Sequence, residues 1–153
     1  MKLLPHECYR RIKEVNLGPA LRVMDQMEFV DTGGKCALVS RADQKVPHEI
    51  RHLIASLKLG GTTKRLFFRK LPPRQGIAPH VDDWIPEEEG WQRFQVPITS
   101  DPEIRMRWPD DDVEVHLQPG FLYEVRFDRK HEVVHNADCD RIHMQIDQVD
   151  ATI

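Results

Sequence analysis

The sequence predicts a mainly β domain, a sandwich or barrel, resting on a helical N-terminal support. Three observations carry this. From residue 62 onward, short segments of largely period-2 character succeed one another at roughly the 8–12 residue spacing of small all-β folds. Loops rich in Pro, Gly and Asp separate them, at Pro72-Pro73, Pro86 to Gly90, Pro109 to Asp112 and Pro119-Gly120. The best helical pattern lies before residue 62.

Residues 5–15 read as a short helix with Ile12 and Val15 inward. Residues 20–30 and 35–40 flank Asp31-Thr32-Gly33-Gly34 and read as a hairpin, since glycines accept the positive φ of a tight turn. Residues 47–59 read as a helix packed on a sheet. Pro47 suits a first turn, Ile50, Leu53, Ile54 and Leu57 recur at i, i+3, i+4 and i+7, and Gly60-Gly61 stops it. The strand candidates are 63–71, 76–82, 91–99, 103–108, 113–117, 121–125, 131–134 and 141–149. Nothing repeats at a fixed period and no linker divides the chain. One domain over 1–153 is expected, with 1–61 as support and 62–150 as β core.

A chain of 153 residues buries roughly two thirds of its unfolded surface, enough for a core without disulfides or a structural metal. Net charge is -3 with both signs interspersed, so neither a nucleic-acid nor a membrane partner is expected. No stretch approaches the ~20 apolar residues of a bilayer span. The N-terminus turns charged before a signal-peptide core forms, which predicts a soluble, cytoplasmic protein. Cys8, Cys36 and Cys139 are odd in number and far apart, and read as small packed side chains rather than a zinc or disulfide framework. Oligomeric state is not set by the sequence.

Histidine is the unusual component: eight in all, five of them between residues 80 and 143. In His80-Val81-Asp82, residues two apart on a strand share a face, so imidazole and carboxylate reach toward one ion. Two histidines and one carboxylate on one face of an octahedral iron leave three positions open. The second histidine must come from a distant strand. After Pro119-Gly120 and FLYEV, a short loop, Arg126 to Lys130, delivers His131, with His135 four residues on. Arg141 follows on the next strand, where a guanidinium can hold a carboxylate by a bidentate pair.

These segments, LPPRQGIAPHVDD, WQRFQVPIT, LQPGFLYEV and KHEVVHNADCDRIHMQID, resemble the aspartyl/asparaginyl β-hydroxylases and their bacterial proline-hydroxylase relatives over roughly residues 64–149. The resemblance implies a double-stranded β-helix, a jelly roll of cupin-like form. It implies Fe(II) held by His80, Asp82 and His131 as catalytic metal ligands, and 2-oxoglutarate as cosubstrate with its far carboxylate on Arg141. The family places that arginine ten residues after the second histidine, which selects His131 over His135. Animal-type members have glycine where this chain has Asp82, so the full triad is closer to the bacterial amino-acid hydroxylases. Gln95 stands where many relatives have histidine, and Gln95 and Arg93 share a face as cosubstrate contacts.

The activity implied is 2-oxoglutarate-dependent hydroxylation of an amino acid or a peptidyl residue by molecular oxygen, releasing succinate and CO2. The alternative is a cupin-like metal-binding barrel, isomerase or non-catalytic module, that uses no 2-oxoglutarate and has no need of Arg141. Other residues have plainer readings. His6, His48 and His52 belong to the support, and His116 is a solvent-facing strand residue. His143 and Gln145 share the Arg141 face, and Arg69 is a second candidate for a carboxylate. Asp83 and Trp84 border the site mouth, and the 83–91 loop is a candidate lid that excludes water.

Overall fold

The computed structural model describes residues 1–31, 36–38, 46–82 and 90–152. The chain runs through α1 (Pro5–Cys8), β1 (Tyr9–Glu14), α2 (Gly18–Leu21), β2 (Val30–Asp31), β3 (Cys36–Leu38) and α3 (His48–Ser56). It continues through β4 (Thr62–Leu71), β5 (Ile77–His80), β6 (Trp91–Thr99), β7 (Ile104–Trp108), β8 (Val113–Val115), β9 (Phe121–Val125), β10 (His131–His135) and β11 (Arg141–Val149). The strands form two antiparallel sheets facing one another: seven in the order β1-β9-β6-β11-β4-β3-β2, and four in the order β5-β10-β7-β8. This is the expected mainly β jelly roll.

Alternation along the central strands sorts the two faces of the large sheet. On β11, Ile142, Met144 and Ile146 face outward, and on β6 Phe94, Val96 and Ile98 do the same. Ile50 and Leu53 of α3, with Leu57 just after it, cover them, each 4% exposed or less. Burying such a side chain is worth roughly 1.5–3 kcal/mol, so the apolar layer lies between the helix and the outer face. The inner face is then free to carry polar groups: Arg141, His143, Gln145 and Asp147 of β11, beside Arg93 and Gln95 of β6, all buried. Two apolar clusters seal the space between the sheets. One is built on Trp108, Tyr123 and Val125, the other on Leu71, Ile77, Ile104 and Val133.

Two expectations change. Residues 5–15 form one helical turn and then a strand, because Tyr9–Glu14 finds a partner in β9, with Tyr9 opposite Val125 and Arg11 opposite Tyr123. Ile12 and Val15 still pack on the core, but from a strand edge. Among the described residues the hairpin pairs Val30 with Ala37 and Asp31 with Cys36, and much of 20–30 is helical turn instead. The turn at 32–35 and most of the 83–91 loop, with Asp83 and Trp84, lie outside the described residues. Among the described residues, no helix is long and apolar enough to cross a membrane.

Candidate metal centre

The two candidate ligand histidines are cross-strand partners: His131 of β10 pairs directly with His80 of β5. Gly76 permits this approach, because a Cβ there would lie 2.2 Å from the Val133 carbonyl oxygen. The imidazole rings sit 4.4 Å apart between centroids. Asp82 follows β5 by two residues, its N–H donating to the Phe127 carbonyl at 3.4 Å. His80, Asp82 and His131 thereby bring one ligand atom each within 4.8 Å of one another.

Hydrogen bonds fix how the rings point. His80 Nδ1 lies 2.8 Å from the Ala78 carbonyl and His131 Nδ1 lies 2.7 Å from the Arg129 carbonyl. A carbonyl can only accept, so each Nδ1 carries a proton, and in the neutral ring each Nε2 presents a bare lone pair. Those lone pairs face the Asp82 carboxylate at 3.4 Å and 3.7 Å, too long for good hydrogen bonds. Burial pulls the His131 pKa below the ordinary value, which disfavours a second proton. With both rings neutral, three electron-rich atoms converge, and a cation satisfies all three. The donor set fits a borderline divalent metal such as iron(II).

The supports run deeper. Asp111 is fully buried and grips the Arg129 guanidinium, while accepting from the Leu3 N–H at 2.8 Å. That pair holds the carbonyl on which His131 depends. On the other side, Arg93 Nη1 donates to Asp82, and Arg93 Nε and Nη2 donate to Asp147 at 2.8 Å and 3.2 Å. Burial works against the Arg93 charge, but Asp147 and Asp82 hold its pKa above the usual arginine value.

From this centre a cavity of about 100 Å³ extends between the sheets to Arg141, past Gln95, His143 and Gln145, with Ile77, Met106 and Val133 opposite. Arg141 is 4% exposed, and neither an acidic group nor a hydrogen-bond acceptor meets it among the described residues. Burial and the neighbouring Arg69 push its pKa down to about 9. Arg69 lines the same cavity with its buried Nε unpartnered, its pKa lowered by burial and then by Arg93. His143 Nδ1 meets Gln95 Oε1 at 2.8 Å; the imidazole N–H donates, which leaves the Gln95 amide N–H groups to face the cavity.

Of the sequence-predicted residues, His80, Asp82, His131, Arg141, Gln95, Arg93, Arg69, His143 and Gln145 all line this one cavity. Arg93, expected to contact a cosubstrate, is engaged by two carboxylates. His135 shares the inward face of β10 but stands apart from the trio, accepting from the Ala137 N–H at 3.3 Å. His116 is half-buried rather than solvent-facing, its Nδ1 3.1 Å from the Ile104 carbonyl. Asp147 and the Asp111–Arg129 pair escaped the sequence reading. The signal for Asp147 was the period of RIHMQID, which puts it on the Arg141 face.

No protein-family model matches the chain, and no curated protein matches it. Solved structures do. A Pseudomonas putida prolyl-4-hydroxylase superposes with TM-score 0.64 at 15% identity, covering 92% of both chains. The viral collagen prolyl hydroxylase of Paramecium Bursaria Chlorella virus-1, solved as its 2-oxoglutarate complex, gives 0.63 at 10% identity, covering 92% of this chain and 95% of that one. A 2OG-Fe(II) oxygenase family protein of Burkholderia pseudomallei gives 0.63 at 10% identity, over 86% and 77%. At these identities the likeness is one of fold: the chain has the jelly roll on which 2-oxoglutarate/iron(II) oxygenases, prolyl hydroxylases among them, are built.

Proposed function

We propose that the protein is an iron(II)- and 2-oxoglutarate-dependent dioxygenase that hydroxylates an amino acid or a peptidyl residue, releasing succinate and CO2. The observation that carries this reading is Arg141. A guanidinium buried without a partner is costly, so the cavity it faces is made for an anion. The other end of that cavity holds the His80–Asp82–His131 trio. One elongated ligand with an anionic group at each end, metal-chelating at one, suits both. A metal-binding barrel without 2-oxoglutarate would have no use for such an arginine.

In this reading His80, Asp82 and His131 hold the iron and leave three positions on its open face. When bound, the iron supplies the redox chemistry that couples 2-oxoglutarate decarboxylation to oxygen insertion at a C–H bond. The chain's own work is positional. Arg141 clamps the far carboxylate of the cosubstrate, and Gln95, oriented by His143, donates an amide N–H along its length. Ile77, Met106 and Val133 form an apolar wall that limits water around the reacting groups.

The test is aerobic conversion of 2-oxoglutarate to succinate with iron(II), run against a panel of free amino acids and short peptides. Iron-dependent succinate formation, stimulated by one panel member and accompanied by its hydroxylation, is expected. No succinate from iron-loaded protein with any panel member would overturn the proposal.

A further inference from the structure

We propose that Arg93 is a positioning residue that withholds one oxygen of Asp82 from the metal, with Asp147 as the countercharge that keeps Arg93 in place. This rests on the reading of His80, Asp82 and His131 as a metal site, and its value to the chemistry rests on 2-oxoglutarate as the cosubstrate.

The geometry is specific. Asp82 Oδ2 accepts from Arg93 Nη1 and lies 3.7 Å from His131 Nε2, while Oδ1 lies 3.4 Å from His80 Nε2 and meets no hydrogen-bond donor among the described residues. The rest of the guanidinium is spoken for. Its Nε and Nη2 form a fork on Asp147, whose side chain is 1% exposed. The Phe127 ring covers the guanidinium carbon at 5.0 Å. Asp147 is anchored in β11 and Arg93 opposite it in β6, so the fork sits on paired sheet positions rather than on a loop. With Nε and Nη2 held on Asp147, the guanidinium presents Nη1, which donates to Oδ2 of the metal carboxylate.

The consequence follows from counting positions. Two histidines and a carboxylate bound through one oxygen fill three of six octahedral positions, leaving three. A chelating 2-oxoglutarate needs two and oxygen needs one. A carboxylate bound through both oxygens would fill a fourth and leave too few. Asp82 is the acidic residue of the trio and carries the free Oδ1, so the choice between the two modes lies with whatever occupies Oδ2. Asp147 also explains its own presence: a carboxylate this deeply buried is costly unless paired.

Cobalt(II) is the probe, used in the full chain under anaerobic conditions. The principal variant is the double exchange R93Q/D147N, which removes both charges of the Arg93–Asp147 pair and leaves Asp82 to the metal alone. X-ray absorption of cobalt-loaded wild type should lack the short metal–carbon path of a bidentate carboxylate, and the double variant should gain it. Cobalt affinity should be unchanged or higher in the variant, since Asp82 regains its second oxygen. 2-Oxoglutarate affinity of the cobalt-loaded variant should fall at least ~10-fold. A merely structural role predicts instead that cobalt affinity and thermal stability fall together. The bidentate signature in wild type, its absence from the variant, or a loss of cobalt affinity in the variant would overturn the proposal. If wild type binds cobalt but not 2-oxoglutarate, the dioxygenase reading fails, and the absorption comparison still decides the role of Arg93.

Discussion

Replacing Arg141 by methionine should stabilise the ligand-free protein while destroying its affinity for 2-oxoglutarate. Burial and Arg69 bring the Arg141 pKa more than three units below the usual arginine value, down to about 9. At about 1.36 kcal/mol for each pH unit, the penalty on the charged form is on the order of 5 kcal/mol. At neutral pH, below both the folded and the unfolded value, the guanidinium is charged in both states and the folded state bears the whole penalty. The penalty would lessen only as pH rises past 9 toward the unfolded value. Water reaching the cavity recovers part of it, so the methionine variant should gain about 2 kcal/mol, or roughly 4–8 °C in Tm for a chain of this size. Losing a buried bidentate charge pair with the cosubstrate should cost about 2–5 kcal/mol, a drop of roughly 30-fold or more in affinity. The assay is thermal unfolding without ligand, followed by anaerobic 2-oxoglutarate titration at matched iron loading. Added 2-oxoglutarate should raise the wild-type Tm and leave the variant's unchanged. A variant that is less stable without ligand, or that binds 2-oxoglutarate as wild type does, refutes the reasoning.

Two further outcomes follow from the supports of the site. The Arg129 guanidinium holds the Asp111 carboxyl below its ordinary value, so this pair adds stability above the unfolded carboxylate value of about 3.9 and loses it as pH falls through the folded one. Asp111→Asn should therefore flatten the acid limb of stability against pH, and an unchanged limb would contradict the assignment. In Gly76→Ala the new Cβ would meet the Val133 carbonyl oxygen at 2.2 Å, backbone against backbone. It should cost about 1–3 kcal/mol and weaken iron binding by shifting His80 against His131; wild-type iron affinity in the folded variant would show that the β5–β10 approach does not set the site.

Much of the site was legible because β-strand period does two jobs in this chain. In RIHMQID, one parity feeds the apolar layer through Ile142, Met144 and Ile146, and the other lines the cavity through Arg141, His143, Gln145 and Asp147. Once the strand is identified, the inward set can be read off residue by residue. The step from His80 to Asp82 carries the same information. Pairing between distant strands does not show in spacing, so nothing in the sequence disclosed that His80 and His131 are direct partners or that Gly76 lets their strands meet. The segment YRRIKE reads as helix because its long charged side chains favour one, and only the edge of β9 makes it a strand. Arg93 illustrates a third limit: its place on the cavity wall was readable, while its engagement by Asp147 depends on β6 lying beside β11.

The central claim is that His80, Asp82 and His131 bind ferrous iron and that 2-oxoglutarate binds through that iron. Anaerobic titration with iron(II), followed by 2-oxoglutarate, in wild type, His131→Ala and His135→Ala tests it most directly. Wild type and His135→Ala should take up iron and then bind 2-oxoglutarate, with no binding before the metal is added, and His131→Ala should do neither. Iron retained by His131→Ala and lost by His135→Ala, or 2-oxoglutarate bound equally well without metal, would contradict it.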